Sequence, residues 1–209
     1  MAIVVQTPPA TEPLTAAEVA THCRLPDLTL AQTVHLDILI SAARQAAETE
    51  LRRYLITQTL DAYFDKFPGA DYWPINSSNI KSASNQIILP PLQSVVSITY
   101  LDAAGTTQTL SPDRYIVDSV SEPARIFPAT GFTWPATKEQ VNAVKVQFVA
   151  GYGNAEAVPN NIKLWMLLRI GHAHENREPV IIGASTSELA RSYFDGLLDS
   201  ERVESRIYG

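Results

Sequence analysis

Residues 143–170 read AVKVQFVAGYGNAEAVPNNIKLWMLLRI, and the periodicity of this stretch decides the fold. Its first eight residues alternate between apolar and mostly polar side chains, a period of two that predicts a half-buried strand. After Pro159 the pattern changes, and residues 162–170 are apolar nearly all round. This change predicts a strand that hands over to a central core helix, with Asn160 or Asn161 as its cap.

The segment before the strands shows helical signals. Thr15 and Glu18 have the spacing of a capping box, which predicts a short helix that ends near His22. Residues 29–54 predict a longer helix, because apolar residues recur there every three or four positions. That apolar stripe consists of Leu36, Ile40, Ala43, Ala47, Leu51 and Leu55.

Strand signals fill the middle of the chain. Alternation predicts strands at residues 60–64, 86–89 and 115–117, and a hairpin joins residues 95–101 to 106–110. A Ser, Asn, Gly and Pro-rich loop spans residues 68–85, and Ser187 can cap a last helix that carries Leu189, Tyr193 and Phe194. Because the strands are consecutive, the sheet should be mainly antiparallel.

These signals predict an α+β fold, in which a bundle of two N-terminal and two C-terminal helices holds an inserted, mainly antiparallel β module. The expected segments are a flexible arm at 1–13, N-terminal helices at 14–55, the β module at 56–153, C-terminal helices at 154–196 and a partner-ordered tail at 197–209. The helix from about 162 to 176 should pack on the apolar stripe of the long N-terminal helix.

Composition narrows the classes of function. The 209 residues carry a net charge of −6 that is spread along the chain, whereas a protein that binds duplex DNA tightly normally has a basic face. The single cysteine excludes an internal disulfide, and the start of the chain lacks the pattern of a signal peptide. The longest nearly apolar helical stretch, 162–170, is far shorter than the roughly 20 residues of a membrane span.

His172 and His174 form the one patch that suggests metal binding. Residues two apart on a helix point about 200° apart, so the pair cannot hold one ion, and a histidine near the helix C-terminus is the simpler explanation. His22 and Cys23 allow a catalytic pair only in principle, since no further partner is visible in the sequence. We therefore expect no catalytic, metal or cofactor site.

Three other patterns each have a plain structural explanation. Asp61 and Asp65 lie about 13 Å apart along one strand, too far for paired acid–base carboxylates, which favours a solvated sheet face. Residues 151–154 (GYGN) lack the third glycine of a dinucleotide loop and predict a turn. The aromatic loops at 72–74 and 132–135 either anchor contacts or cover the sheet.

The order and spacing of several short motifs resemble the tailed-phage head–tail connector (adaptor) proteins, in the larger form with a β insertion. The resemblance covers about residues 14–179, and the chain's end looks longer and more charged than the family's usual ending. It is carried by residues 14–18, 42–48, 55–60, 89–95, 98–102, 134–136, 146–153 and 158–159, and by His172 and residues 175–178.

The resemblance implies a structural virion protein at the head–tail interface, assembled in the host cytoplasm. It implies a ring of about twelve copies on the portal protein, which extends the DNA channel and offers a platform to a tail-completion or stopper protein. DNA would pass through without sequence-specific binding, and no membrane would be involved. The alternatives are a nucleic-acid-binding packaging factor and, less favoured, a small metal-dependent hydrolase.

Two sets of contact residues follow from this expectation. Adjacent copies should meet through the helical part, on an exposed face with the alternating charges of Arg44, Glu48 and Arg52. The amphipathic C-terminal end should become ordered on the portal or on a neighbouring copy. Its apolar contact residues would be Leu197, Leu198, Val203, Ile207 and Tyr208.

Overall fold

The computed structural model describes residues 1–69, 85–176 and 196–203. These residues form eight strands and three α-helices, with three short 3-10 turns. The strands are β1 (Ala2–Thr7), β2 (Gln58–Phe64), β3 (Ile87–Leu89), β4 (Leu92–Leu101), β5 (Thr107–Leu110), β6 (Tyr115–Asp118), β7 (Ala124–Pro128) and β8 (Val144–Ala150); the helices are α1 (Ala16–His22), α2 (Leu30–Leu51) and α3 (Asn160–Glu175).

The chain divides into two compact units. The β unit combines Met1–Pro8 with the described part of Gln58–Gly151, and the helical unit combines Pro9–Thr57 with the described part of Tyr152–Val203. The α+β class is therefore confirmed. The expected fourth helix, with Ser187, Leu189, Tyr193 and Phe194, lies outside the described residues.

The β unit contains two antiparallel sheets. One has the strand order β1-β2-β8-β4-β5 and the other has the order β3-β7-β6. In the larger sheet Leu60 pairs with Phe148 and Ala62 with Val146, and all four side chains are fully buried. The alternation along β8 thus buries every second residue, as its sequence predicts.

The first strand corrects the expectation of a flexible N-terminal arm. Residues 2–7 pair with β2 in an antiparallel ladder that matches Ile3 to Ala62 and Val5 to Leu60. Three consecutive β-branched residues (I-V-V) favour this extended conformation. The prolines at positions 8, 9 and 13, on which the expectation of an arm rested, all follow the strand.

The capping boxes of α1 and α2 form as predicted, whereas α3 begins after Pro159 without a side-chain cap, so neither Asn160 nor Asn161 is its cap. Glu18 N–H donates to Thr15 Oγ1 at 3.2 Å, and Thr15 N–H donates to the Glu18 carboxylate at 2.7 Å, which completes the capping box of α1. Thr29 and Gln32 form the same box at the start of α2.

The helical unit has one core, and it joins all three helices. The stripe of α2 (Leu36, Ile40, Ala43, Ala47 and Leu51) and the inner side of α3 (Ile162, Trp165, Met166 and Ile170) are buried in this core. This confirms the expected packing of the long N-terminal helix against the helix that follows Pro159.

Candidate assembly surfaces

Arg44 and Glu48 lie inside the helical unit, although the sequence places them on an exposed face. Arg44 is 8% exposed, and its guanidinium donates to Glu12 at 2.7 Å and to Glu48 at 2.9 Å. Glu48 also accepts the Leu55 N–H at 3.0 Å. The expected exposed charged face is therefore wrong for this pair, because the segment before α1 covers it; only Arg52, at the end of α2, is exposed.

Burial affects the ionisation of the Glu48 carboxyl in this network. Burial raises the pKa of the Glu48 carboxyl above its usual value, and the Leu55 N–H and the Arg44 charge oppose that shift without cancelling it. The hydrogen bond from Leu55 and the charge of Arg44 therefore favour the ionised form of Glu48 against its burial. The network therefore holds the segment before α1 onto α2 and is a structural element of the unit.

The described part of the C-terminal end also belongs to the helical unit. Leu198 is fully buried and Val203 is 2% exposed, and the Val203 N–H donates to the Leu51 carbonyl oxygen at 3.1 Å. Leu197 is partly buried against the same core, and its carbonyl oxygen accepts from Asn161 at 3.0 Å. These side chains are not free for the portal, which corrects that expectation; Ile207 and Tyr208 lie outside the described residues.

A polar cluster of Arg53, Tyr152 and Glu201, called the Arg53 lock below, holds this end in place. The Arg53 guanidinium donates to the Glu201 carbonyl oxygen at 3.2 Å and lies 3.5 Å from the Glu201 carboxylate. The Tyr152 hydroxyl donates to the same carboxylate at 2.7 Å, and Arg53 stacks over the Tyr152 ring at 4.7 Å. Sequence reasoning missed this lock, since its three residues are far apart in the chain.

The structure places His172 and His174 in different surroundings. His172 is exposed and contacts Asn176, while His22 lies beside Gly171. His174 instead faces His35 across a shallow pocket, with ring centroids 6.3 Å apart. Within the described ranges no group of three His, Cys, Asp or Glu side chains has a geometry that could hold a metal ion.

The surroundings of Cys23 disfavour the thiolate form of its side chain. Burial raises the pKa of its thiol, and the nearby Glu175 carboxylate raises it further. A nucleophilic cysteine needs the opposite shift, so the Cys23 environment gives no support to a catalytic pair with His22.

Asp61 corrects the expectation of a solvated sheet face. It is 2% exposed, and its Oδ2 lies 3.5 Å from the Lys145 ammonium, while its Oδ1 has no hydrogen-bond partner among the described residues. Asp65 is exposed and accepts the Asn142 N–H at 2.9 Å. The two carboxylates thus have separate structural surroundings.

The glycine pair after β8 forms the expected turn. Gly151 and Gly153 adopt φ values of 119° and 141°, a region that favours glycine, and Asn154 caps the following 3-10 turn. The turn returns the chain to residues that precede β2: the Tyr152 N–H donates to Leu55 O and the Thr57 N–H to Gly153 O, both at 2.9 Å.

The two aromatic residues of the loop at 132–135 have different roles. Trp134 stacks on Phe67 with ring centroids 4.9 Å apart and donates its indole N–H to the Asn85 carbonyl oxygen, so it covers the β unit. Phe132 is 39% exposed beneath the Arg114 guanidinium and is available for contact. Residues 72–74 lie outside the described part of the chain.

Exposed apolar side chains mark two surfaces suited to assembly. On α2, Leu30, Val34 and Ile38 form an outward stripe with exposed fractions of 82, 53 and 62%. On β1, Val4 and Val5 are nearly half exposed, and β1 is an edge strand of the larger sheet without a charged residue or a proline. Uncharged edges and exposed aliphatic stripes are typical of surfaces that meet another chain.

Comparison with solved structures identifies proteins of the same fold. No family model matches the chain, and no curated protein matches it.

In the described residues no helix is both long and apolar enough to cross a membrane.

The similar structures come from gene transfer agent (GTA) particles. A chain in the neck of the empty particle, computed with C6 symmetry, is 20% identical with a TM-score of 0.76. A chain in the native virion is 18% identical with a TM-score of 0.74, and one in the native neck, computed with C12 symmetry, is 20% identical with a TM-score of 0.71. Each match covers 100% of this chain and 99% of the other. The whole chain therefore shares its fold with chains of phage-like gene transfer agent particles.

Proposed function

We propose that this chain is a structural subunit of the neck of a phage-like particle, a head–tail connector. In this role it forms a ring on the portal protein, extends the DNA channel and presents a platform to a tail-completion or stopper protein. The observation that carries the proposal is the full-length likeness to chains of particle necks, with both chains covered almost completely. A likeness over the whole length supports a shared architecture.

A ring of about twelve copies is the proposed assembly. The C12 symmetry of one similar neck supports this number, and the C6 symmetry of the other is compatible with it, because six is a divisor of twelve. A closed ring needs two different surfaces on each copy, so that one copy can bind a neighbour on either side. The helical unit offers apolar side chains on both α2 and α3.

The charge of the chain suits a channel through which DNA slides. Its net charge of −6 has the same sign as the phosphate charge, so we expect counterion release to contribute little affinity. DNA would then pass without sequence-specific contacts. The proposed location is the virion, after assembly in the host cytoplasm.

A gene deletion tests this function. Particles made without the chain should accumulate as heads that lack tails, and electron microscopy of the lysate counts them. Supplying the wild-type chain should restore tailed particles, and the purified chain should comigrate with the portal ring of the same particle. Tailed particles in normal yield without the chain would overturn the proposal. A gel shift with duplex DNA that weakens steeply with salt would instead favour a packaging factor.

A further inference from the structure

The outward face of α2 carries an apolar stripe that the helical unit leaves open. Leu30, Val34 and Ile38 are spaced four residues apart, so they line one side of the helix over two turns. Their exposed fractions of 82, 53 and 62% show that the described residues leave them largely uncovered. Scattered exposed aliphatic residues are ordinary, whereas three on one helix face mark a contact surface.

Helix geometry fixes the direction of this stripe. Residues two positions apart on an α-helix point about 200° from each other. Val34 and Ile38 each lie two positions before a fully buried core residue, Leu36 and Ile40 respectively. The stripe therefore points away from the core that α2 shares with α3.

The same relationship holds on α3. Leu164 is 43% exposed and stands two positions from both Ile162 and Met166, which are fully buried in the shared core. Leu164 therefore points away from that core, with the half-buried Leu168 one turn further along. Among the described residues of the helical unit, the exposed large apolar side chains lie on these two faces alone. Each face therefore points away from the shared core, and the two faces lie on different helices.

We propose that neighbouring copies of this chain meet head to tail, with the α2 stripe of one copy packed against the outward face of α3 on the next. The inference rests on the proposed ring. A cyclic assembly requires two different faces that can be used at once, and two faces on different helices, each pointing away from the shared core, meet that requirement. Burying Leu30, Val34 and Ile38 against Leu164 would remove the largest apolar exposure of the helical unit.

Charges beside the two faces complement each other. Asp37 is exposed next to the α2 stripe, and Lys163 precedes Leu164 on α3. In the described residues neither side chain forms an ion pair within 4 Å, although Lys163 is close enough to Glu18 to help lower the pKa of that carboxyl. Opposite charges on the two faces favour contact between α2 and α3, and like charges disfavour contact between two α2 stripes.

A charged substitution in the stripe tests the surface. Ile38→Glu should leave the monomer folded, because glutamate is a better helix former than isoleucine at an exposed position. It should weaken ring formation by at least about tenfold in concentration, because the contact would bury a carboxylate without a partner. Val141→Glu is the matched control: it adds the same charge at an exposed apolar residue of the β unit and should assemble like the wild type. Mass photometry, with and without the portal ring, measures each species.

Cross-linking distinguishes the partner faces. Ile38→Cys and Leu164→Cys are made separately in a Cys23→Ser background and treated with a short bismaleimide. Head-to-tail contact predicts a covalent dimer in the mixture of the two variants and none with either variant alone. A dimer formed by Ile38→Cys alone would show a symmetric contact between two α2 stripes and overturn the proposal.

The outcomes separate this inference from the proposed function. Rings formed by Ile38→Glu as readily as by the wild type would overturn the α2 contact and leave the connector role standing. If the wild type forms rings but the mixture of Ile38→Cys and Leu164→Cys gives no cross-link, the contact lies elsewhere and the proposed contact is likewise overturned. A wild-type chain that forms no ring, alone or on the portal, would overturn both.

Discussion

Arg44 donates from Nε to Oε2 of Glu12 at 2.7 Å, which joins two residues that are 32 positions apart in the chain. The same guanidinium donates from Nη1 to Glu48, one turn further along α2. One arginine therefore connects the segment before α1 to the C-terminal half of α2. The i, i+4 spacing of Arg44 and Glu48 is typical of an exposed helix face, but this contact keeps the pair away from the surface.

Replacing Arg44 should destabilise the helical unit. Arg44→Gln removes the guanidinium that pairs with the largely buried side chain of Glu48, and we expect a loss of about 3 kcal/mol in the free energy of unfolding. Arg52→Gln, on the exposed residue at the end of α2, should change it by less than about 0.5 kcal/mol. Urea denaturation of both variants makes the comparison. Equal stabilities would mean that the network contributes nothing. Glu48→Lys would put a lysine against Arg44, so it tests folding rather than ring closure.

The sequence predicts the local part of this fold well. Capping boxes at Thr15 and Thr29 set the starts of two helices through contacts only three residues apart, and the alternation of β8 reports its burial directly. Sequence patterns do not show which residues are covered by a segment that is distant in the chain. Arg44 and Glu48 have the spacing of an exposed ion pair, and the burial of that pair depends on residues before α1.

The candidate surface was missed for a related reason. The same helical period that predicts the buried stripe of α2 also places Leu30, Val34 and Ile38 on its opposite side. An apolar residue in the sequence does not report whether another element covers it. Only the structure shows that the stripe through Leu36 and Ile40 is covered and that the opposite one is open.

Asp118 should make the β unit sensitive to acid. Its carboxylate accepts from the Ser121 hydroxyl and amide, from Arg125 and from the Val120 amide, which together hold the pKa of Asp118 well below its usual value of 3.8. A depressed pKa means that the folded state binds fewer protons than the unfolded state, so this stabilisation is complete above about pH 4 and is lost as the pH falls further. Asp118→Asn should remove it.

The measurement for Asp118 is a pair of denaturation series between pH 7 and pH 2. The gap between wild type and Asp118→Asn should be largest near neutrality and should narrow below pH 4. Asp113→Asn is a useful control, because that exposed carboxylate also has a lowered pKa but belongs to a separate turn. A gap that is constant with pH would show that the aspartate acts through shape alone.

Trp165 should be the largest single contributor to the helical core. It is 3% exposed on the inner side of α3, and its ring also lies 5.2 Å from the Arg169 guanidinium. Trp165→Ala should cost about 3–5 kcal/mol through the cavity it leaves. Leu164→Ala, at the adjacent outward position, should cost the monomer less than about 1 kcal/mol. Thermal unfolding of the two variants compares inner and outer faces directly; similar losses would show that α3 is rotated from the orientation described.

His172 and Cys23 should be dispensable for assembly. His172 is exposed, and the thiol of Cys23 has a raised pKa. His172→Ala and Cys23→Ser should therefore give the wild-type yield of tailed particles and the wild-type melting temperature. A variant that folds normally and fails to assemble would assign that residue a role that its surroundings do not indicate.

The C-terminal end contains a boundary that two truncations can locate. Ending the chain after Gly196 removes Leu198 and Val203 from the core, together with the Glu201 carboxylate that Arg53 and Tyr152 hold. Each buried aliphatic side chain contributes roughly 1.5–3 kcal/mol, so this truncation should destabilise the helical unit by about 3 kcal/mol or more.

Ending the chain after Val203 keeps all three of these residues and removes residues 204–209, including Ile207 and Tyr208, which stay predicted portal contacts. This variant, which has the smaller deletion, should have the melting temperature of the wild-type chain, because the core and the Arg53 lock are intact. If it also docks on the portal and restores tailed particles, Ile207 and Tyr208 make no needed contact. If it is stable but fails to dock, the partner-binding part of the tail lies after Val203. Equal melting temperatures for the two truncations would instead mean that Leu198 and Val203 contribute nothing to the core, against their burial.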